Sequence, residues 1–392
     1  MGELTPPPGA LLRPTFVIDA GIPFGAEAFS GLGRVVRLPS PEIGPAALRE
    51  ADGLVVRTVT RVDARLLEGS RVSFVGTATI GFDHVDRDLL ASRGIAFASA
   101  PGCNAVAVAE YVVAALLEVA TREGRPLAGR TLGLIGVGHV GRQVAERAPA
   151  LGLRVLRHDP PRARAEGAAG FVSLAELLAR SDLVSLHVPL TRDGRDPTWR
   201  LVDGDFLDRL PRSAWLLNTS RGEVVDEEAL LARLRGGLLG GAVLDVLAGE
   251  PRISPALVAA AAIATPHVAG YSLEGKVAAT RQVHEAARVH FGGAPWDPTS
   301  VLPPPPPPHP GLPEGPLEQQ LATLTAMLVP LAHDDRLLRL LTAGPASEIS
   351  SGFRKLRDEY PIRREFASRR IQVGPGQDDL ARRLAVLGFS TG

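Results

Sequence analysis

The sequence predicts an α/β protein: two doubly wound parallel-sheet domains, followed by a small α+β domain at the C-terminal end. Three observations carry that reading. Short apolar runs alternate with amphipathic helical stretches in two successive sets, the pattern of βαβ units and a parallel sheet. The second set opens on a glycine fingerprint, G-x-G-x-x-G, at Gly136, Gly138 and Gly141. Six consecutive prolines, at 303–308, then break the composition before helical and strand-like patterns resume.

Taken in order, residues 1–14 have no periodicity and are expected to form a disordered leader. The first set of strands reads FVID (16–19), GLVVR (53–57), VSFVGTA (72–78) and IAFAS (95–99). A long helix is expected over 104–121. Asn104 is its candidate cap, with no capping box because the acid Glu110 comes too late. The second set reads TLGLIGVG (131–138), RVLRHD (154–159), LVSLHVP (183–189), AWLLNTS (214–220), GAVLDVL (241–247) and AAIATP (261–266). Helices are expected at 139–151, 173–180, 203–210 and 226–236. The stretch 293–316 reads as a spacer, its prolines stiff polyproline II rather than a packed element. Residues 317–392 are long enough for a third domain.

Composition excludes several functions. With 43 basic and 43 acidic residues the formal net charge is zero, which gives no footprint for nucleic acid or an anionic membrane. A single cysteine, Cys103, rules out an intrachain disulfide framework and reads as a small packed residue. No apolar stretch reaches the roughly 18 residues of a membrane span; the best candidate, 105–120, is interrupted by Glu110 and Glu118. No secretory signal is recognisable, and a soluble, cytoplasmic protein is expected. No metal is expected either, since His284 and His290 share no ligand spacing with acids or with Cys103.

The fingerprint carries chemistry because of where it lies. It follows a strand, opens a helix, and the next strand ends in an acid. The first glycine makes the turn, the second lets backbone approach a pyrophosphate, and the third permits close helix–sheet packing. His139 and Val140 complete this phosphate-facing turn. Asp159 stands near the roughly 20-residue spacing of a ribose-binding acid and favours NAD. Arg162 leaves NADP open, because a nearby arginine can accommodate a 2′-phosphate.

Three further polar residues lie at strand ends of this half, where ligands of doubly wound sheets sit. Arg221 follows LLNTS, Glu250 follows VLDVLAG, and His267 stands in TPHVAG. Hydride transfer from a 2-hydroxy acid needs a base for the hydroxyl proton, and histidine has a suitable intrinsic pKa. A carboxylate fixes its tautomer, and a guanidinium grips the substrate carboxylate in bidentate fashion. His267 is therefore the candidate acid/base, Glu250 its orienter and Arg221 the substrate clamp.

These motifs, NTSRGEVVDEEAL, VLDVLAGEP and TPHVAG after GLIGVGHVG, resemble the D-isomer-specific 2-hydroxyacid dehydrogenases. The resemblance implies a flavodoxin-like substrate domain of 15–103 and 270–292, and a Rossmann NAD domain of 104–269. VVRTVTRVDARLLEG, APGCNAVAVAEYV, TPHVAGYSLEGK and FRKLRDEYPIRREF are similar to a branch that acts on a phosphorylated four-carbon 2-hydroxy acid. That branch carries an additional C-terminal domain, here 317–392, which implies a homodimer. The resemblance further implies substrate contacts from Thr58, Thr79 and Tyr271, and an NAD site lined by Asp159, Val188, Asp245 and Gly270. Arg57 and Lys276 are phosphate candidates on charge alone. The chain departs from the branch at Thr58 (a serine expected), Val188 (a threonine expected) and Leu247 (a tryptophan expected). Two rival readings remain: a dehydrogenase of another phosphorylated hydroxy acid such as 3-phosphoglycerate, and an NAD-sensing binding scaffold.

Overall fold

The computed structural model describes residues 13–309, 311–312, 315–374 and 376–392. The expected leader therefore falls, except for its last two residues, outside the described residues. The chain divides into two compact units. One holds residues up to Asn104 together with Glu274–Pro304; the other holds Ala105–Leu273 together with Pro305–Gly392.

The first unit is built on a parallel sheet of β1 (Thr15–Asp19), β2 (Arg34–Leu38), β3 (Gly53–Val56), β4 (Phe74–Thr77) and β5 (Ala96–Ala98). Its order is β2-β1-β3-β4-β5. β3 and β4 are buried throughout, as expected of parallel strands covered on both faces. β2 is not anticipated by the sequence reading. Its RVVRL pattern keeps arginines exposed at the sheet edge, where charge guards an unpaired strand. The helix Leu273–Phe291 returns to this unit and packs Ala279, Val283 and Ala287 against Phe16, Phe29 and Phe74. That four-residue spacing is one helical stripe, and each buried phenylalanine contributes about 1.5–3 kcal/mol.

The second unit holds β6 (Thr131–Ile135), β7 (Arg154–His158), β8 (Leu183–Leu186), β9 (Trp215–Asn218), β10 (Gly241–Leu244) and β11 (Ile263–Ala264). The order is β11-β10-β9-β8-β6-β7. Each sheet thus reverses direction beside its own first strand, and such a switch point opens the crevice where ligands sit.

Several expectations are refined here. The helix expected over 139–151 is α-helical at His139–Arg147 and then tightens to a 3₁₀ turn, Ala148–Leu151, at Pro149. The strand expected at 261–266 shortens to β11, which follows a helix, Pro255–Ala260. An unanticipated helix, Pro160–Glu166, starts directly after β7. Asn104 does not cap the helix Ala105–Glu123: its Oδ1 is buried without a hydrogen-bond partner. Packing holds this helix instead, since most of its residues are buried, and tertiary contacts rather than caps supply most helical stability.

The C-terminal stretch forms the helices Leu317–Leu328, Leu331–Thr342, Ala346–Asp358 and Asp378–Leu387, with β12 (Arg370–Ile371) pairing β13 (Ser390–Thr391). It shares cores with the rest of the second unit. Leu321, Leu324 and Leu328 join the cluster of Val112 and Leu116, while Leu338, Ile349 and Phe353 join that of Leu257 and Val258. Polar anchors add direction. Ala264 N–H donates to Asp335 Oδ1 at 2.8 Å, and Arg339 Nη2 donates to Ala261 O at 2.7 Å. Even the end of the proline run is tied down, with His309 N–H donating to Arg370 O at 2.8 Å.

Candidate active site

The glycine loop leaves β6 through Gly136, whose φ of 84° suits a residue without Cβ. A side chain there would also meet His187 O at 2.4 Å. Gly141 lies so close to the loop that a Cβ would meet Gly136 O at 2.2 Å. Around Gly138 the space is open, and His139 and Val140 follow as the first helical residues. The loop therefore keeps clear the backbone face that a pyrophosphate needs, over a helix N-terminus. These residues fit a dinucleotide.

Asp159 ties this loop to the next helix. Its Oδ2 accepts from Val137 N–H at 2.7 Å, and its Oδ1 accepts from Arg162 N–H at 3.0 Å. Arg162, which leaves NADP open in the sequence, is engaged within the protein. It forks onto Glu166 at 2.7 and 2.6 Å, and its Nη1 donates to Val137 O at 2.5 Å. The Glu166 carboxylate holds this guanidinium even more firmly protonated. A guanidinium so occupied has fewer donors to offer a 2′-phosphate. Val188 follows β8, half-buried, with a methyl 2.9 Å from where a Gly136 side chain would begin.

His267 sits just beyond β11 with φ 58°, a left-handed backbone that a non-glycine residue adopts only when its surroundings hold it there. The holder is Asp245. Its backbone oxygen accepts from His267 N–H at 2.8 Å. Its buried carboxylate accepts from Thr265 Oγ1, Val268 N–H and Ala269 N–H at 2.7, 2.8 and 3.0 Å. Burial pushes that carboxyl up, against the pull of His267. Gly270 continues the same loop.

The imidazole is oriented by Glu250. Nδ1–H donates to Glu250 Oε2 at 2.7 Å, which leaves Nε2 as the basic nitrogen. Glu250 Oε1 accepts from Leu247 N–H at 3.0 Å. Burial works to raise the Glu250 carboxyl, but His267, the Leu247 amide and Arg357 together hold it below its ordinary value. Arg221 follows β9 in extended backbone; Asn218 Nδ2 donates to its carbonyl at 2.9 Å, and its own Nη1 donates to Ser220 O at 2.8 Å. All three residues follow C-terminal ends of strands in one sheet. Glu250 and His267 are in direct contact.

In the first unit, Thr58 is exposed after β3. Thr79 Oγ1 donates to Gly81 O at 2.9 Å and meets Thr77 Oγ1 at 2.8 Å. Thr77 in turn meets His84 Nε2 at 3.1 Å, and burial lowers the His84 pKa despite Asp83. Arg57 pairs with Asp19 at 3.1 Å. Burial, with Arg57 nearby, lowers the Lys276 pKa.

The sequence reading missed His84, Tyr360, Arg357 and Arg363. The last three stand in FRKLRDEYPIRREF (353–366), a stretch with no glycine turn or strand end to mark it as part of a site. Tyr360 packs edge-on to Tyr271 at 5.7 Å and donates to Asp334 at 2.8 Å. Arg363 pairs with buried Glu110 at 2.9 Å and donates to Ala269 O at 3.0 Å. Leu273 N–H donates to Arg363 O at 2.9 Å. The loop bearing His267 and Tyr271 is thus held from the C-terminal side.

Comparison with known proteins follows the same lines. Residues 107–269 match the model of the D-isomer specific 2-hydroxyacid dehydrogenase NAD-binding domain. An erythronate-4-phosphate dehydrogenase of Chromohalobacter salexigens is 43% identical over 95% of this chain and 97% of its own. One from Salinibacter ruber is 52% identical over 73% of this chain and 74% of its own. Among solved structures, a D-lactate dehydrogenase of Aquifex aeolicus with NAD and lactic acid is similar at TM-score 0.59 and 25% identity, over 70% of this chain and 95% of its own. An NADPH-dependent glyoxylate/hydroxypyruvate reductase of Sinorhizobium meliloti is similar at TM-score 0.59 and 27% identity, over 71% of this chain and 94% of its own. Structural likeness alone thus spans both cofactors, and the preference rests on Asp159 and Arg162.

Proposed function

The chain belongs to the D-isomer-specific 2-hydroxyacid dehydrogenase family, among its erythronate-4-phosphate dehydrogenases, and from that premise we propose that it oxidises 4-phospho-D-erythronate to 2-oxo-3-hydroxy-4-phosphobutanoate in pyridoxal 5′-phosphate biosynthesis. The cofactor is NAD, which when bound accepts the hydride from C2. The observation that carries the proposal is the 2.7 Å contact between His267 and Glu250 on the sheet that bears the glycine loop. In this reading His267 Nε2 takes the C2 hydroxyl proton. Glu250 keeps Nδ1 protonated and stabilises the imidazolium that forms. Arg221 binds the substrate carboxylate and draws electron density from C2 as the carbonyl develops. Thr58, Thr79 and Tyr271 are its substrate contacts, with Arg57 and Lys276 as phosphate candidates.

The same reading includes a homodimer through 317–392 in the cytoplasm. Exposed Met327, Leu340, Ile362 and Val386 in that stretch support the first, and a monomeric mass in light scattering at micromolar concentration would refute it. No helix among the described residues is long and apolar enough to cross a membrane.

The decisive experiment measures NADH formation with 4-phosphoerythronate against 3-phosphoglycerate, with a 2-oxo acid acceptor in parallel. A clear preference for the four-carbon acid is expected. Preference for phosphoglycerate would retain the chemistry and reject the substrate. His267→Gln should lower kcat by roughly 10²–10⁴-fold, the usual contribution of a general base. Turnover within a few-fold of the parent would favour a binding scaffold instead.

A further inference from the structure

The carboxylate that orients His267 faces a second cation, and it comes from the C-terminal stretch. Arg357, near the end of the helix Ala346–Asp358, places Nη1 3.9 Å from Glu250 Oε2. That is the same oxygen that takes the His267 Nδ1–H. The distance is that of an ion pair without a hydrogen bond. The guanidinium is steadied over the Phe353 ring at 6.0 Å, and its Nε is buried without a hydrogen-bond partner. Its ion-pair partner among the described residues is Glu250.

We infer that Arg357 is a positioning residue for the proton transfer, a second cation on Glu250 that keeps the His267 imidazole in its basic form at neutral pH. A carboxylate devoted wholly to one imidazole favours the imidazolium, which cannot accept a proton. Sharing that charge with Arg357 weakens the effect, and the like charge itself disfavours a second cation nearby. Other charged groups face the same loop. Glu227 Oε1 accepts from Ala248 N–H at 2.6 Å, Glu223 Oε1 accepts from Gly249 N–H at 3.4 Å, and Asp245 lies buried beneath His267. Asp334 and Tyr360 stand behind Asp245. Where ionised, the carboxylates among them favour the imidazolium; Arg357 is the cation within ion-pair reach of the Glu250 oxygen.

The inference rests on the dehydrogenase reading of His267, so its test has two readouts. In the pH profile of kcat/KM for oxidation, Arg357→Met should move the acidic limb up by about one unit, the scale of a nearby charge. Below that limb the rate then falls up to about tenfold relative to the parent. Arg357→Lys, which keeps the charge, should return the limb most of the way. The second readout is the titration of His267 by NMR of ¹³C-labelled histidine, assigned with His267→Gln. It should rise by the same amount in Arg357→Met whichever hydroxy acid is the substrate, so failure of the substrate proposal leaves it standing. A limb and a titration both unmoved in Arg357→Met would overturn the inference. So would an Arg357→Lys variant displaced as far as the methionine one, which would mark a role in packing rather than charge.

Discussion

The two sheets make a natural comparison, because β2-β1-β3-β4-β5 and β7-β6-β8-β9-β10 run in the same order of winding. Their switch points are equipped in opposite ways. At the end of β6 stands a glycine turn with open space around Gly138, its Val137 N–H tied to Asp159 at 2.7 Å. At the end of β1 stands buried Asp19, which accepts from Gly21 N–H at 2.8 Å, from Ser40 Oγ at 2.6 Å and from Arg57. Gly21 is also small for a reason, but the space is taken by protein: a Cβ there would meet Arg57 Cζ at 2.4 Å. One switch point is cleared for a dinucleotide, and the other is filled by an arginine on a carboxylate. Topology says where a ligand can sit; the side chains after the first and third strands decide which one.

Two glycine substitutions can break this comparison. The larger effect belongs to Gly136→Ala, which forces φ 84° on a residue with a Cβ and drives it into the His187 carbonyl. NAD affinity should fall by about 100-fold, equivalent to about 2.7 kcal/mol, measured by NADH fluorescence titration. Binding within threefold of the parent would mean that the loop is not the phosphate cradle. Gly21→Ala meets only the movable end of Arg57. It should leave NAD binding unaltered and raise the KM for the hydroxy acid by roughly tenfold, about 1.4 kcal/mol. An unchanged KM would remove Arg57 from the phosphate candidates.

A smaller effect separates the units by pH. Burial raises Asp334 to about 6, Glu227 to about 7 and Glu110 to about 8, the last against the pull of Arg363. All three belong to the second unit. Each holds a proton in the folded state that the unfolded chain releases at lower pH. Their contribution is therefore complete below about pH 4 and is lost as pH rises through about 6 to 8. The unfolding free energy should decline over that window. Glu110→Gln should flatten the upper part of the decline, by no more than roughly 1.4 kcal/mol per pH unit. A parent curve already flat from pH 5 to 8 would contradict the proton assignments.

The sequence by itself determined the alternation of strands and helices, the glycine turn with its acid, and the order Arg221, Glu250, His267. Each is a local signal: period, turn chemistry, or a polar residue just past a strand, which a parallel sheet brings to one end. β2 escaped because an edge strand needs only half its residues apolar. The tertiary structure alone decided what depends on distant chain segments meeting. It set Arg363 on Glu110 and brought Arg357 to Glu250. No spacing along the chain encodes those meetings. They follow from the shared core that lays the C-terminal helices on the nucleotide sheet, where burial makes a single charge pair matter.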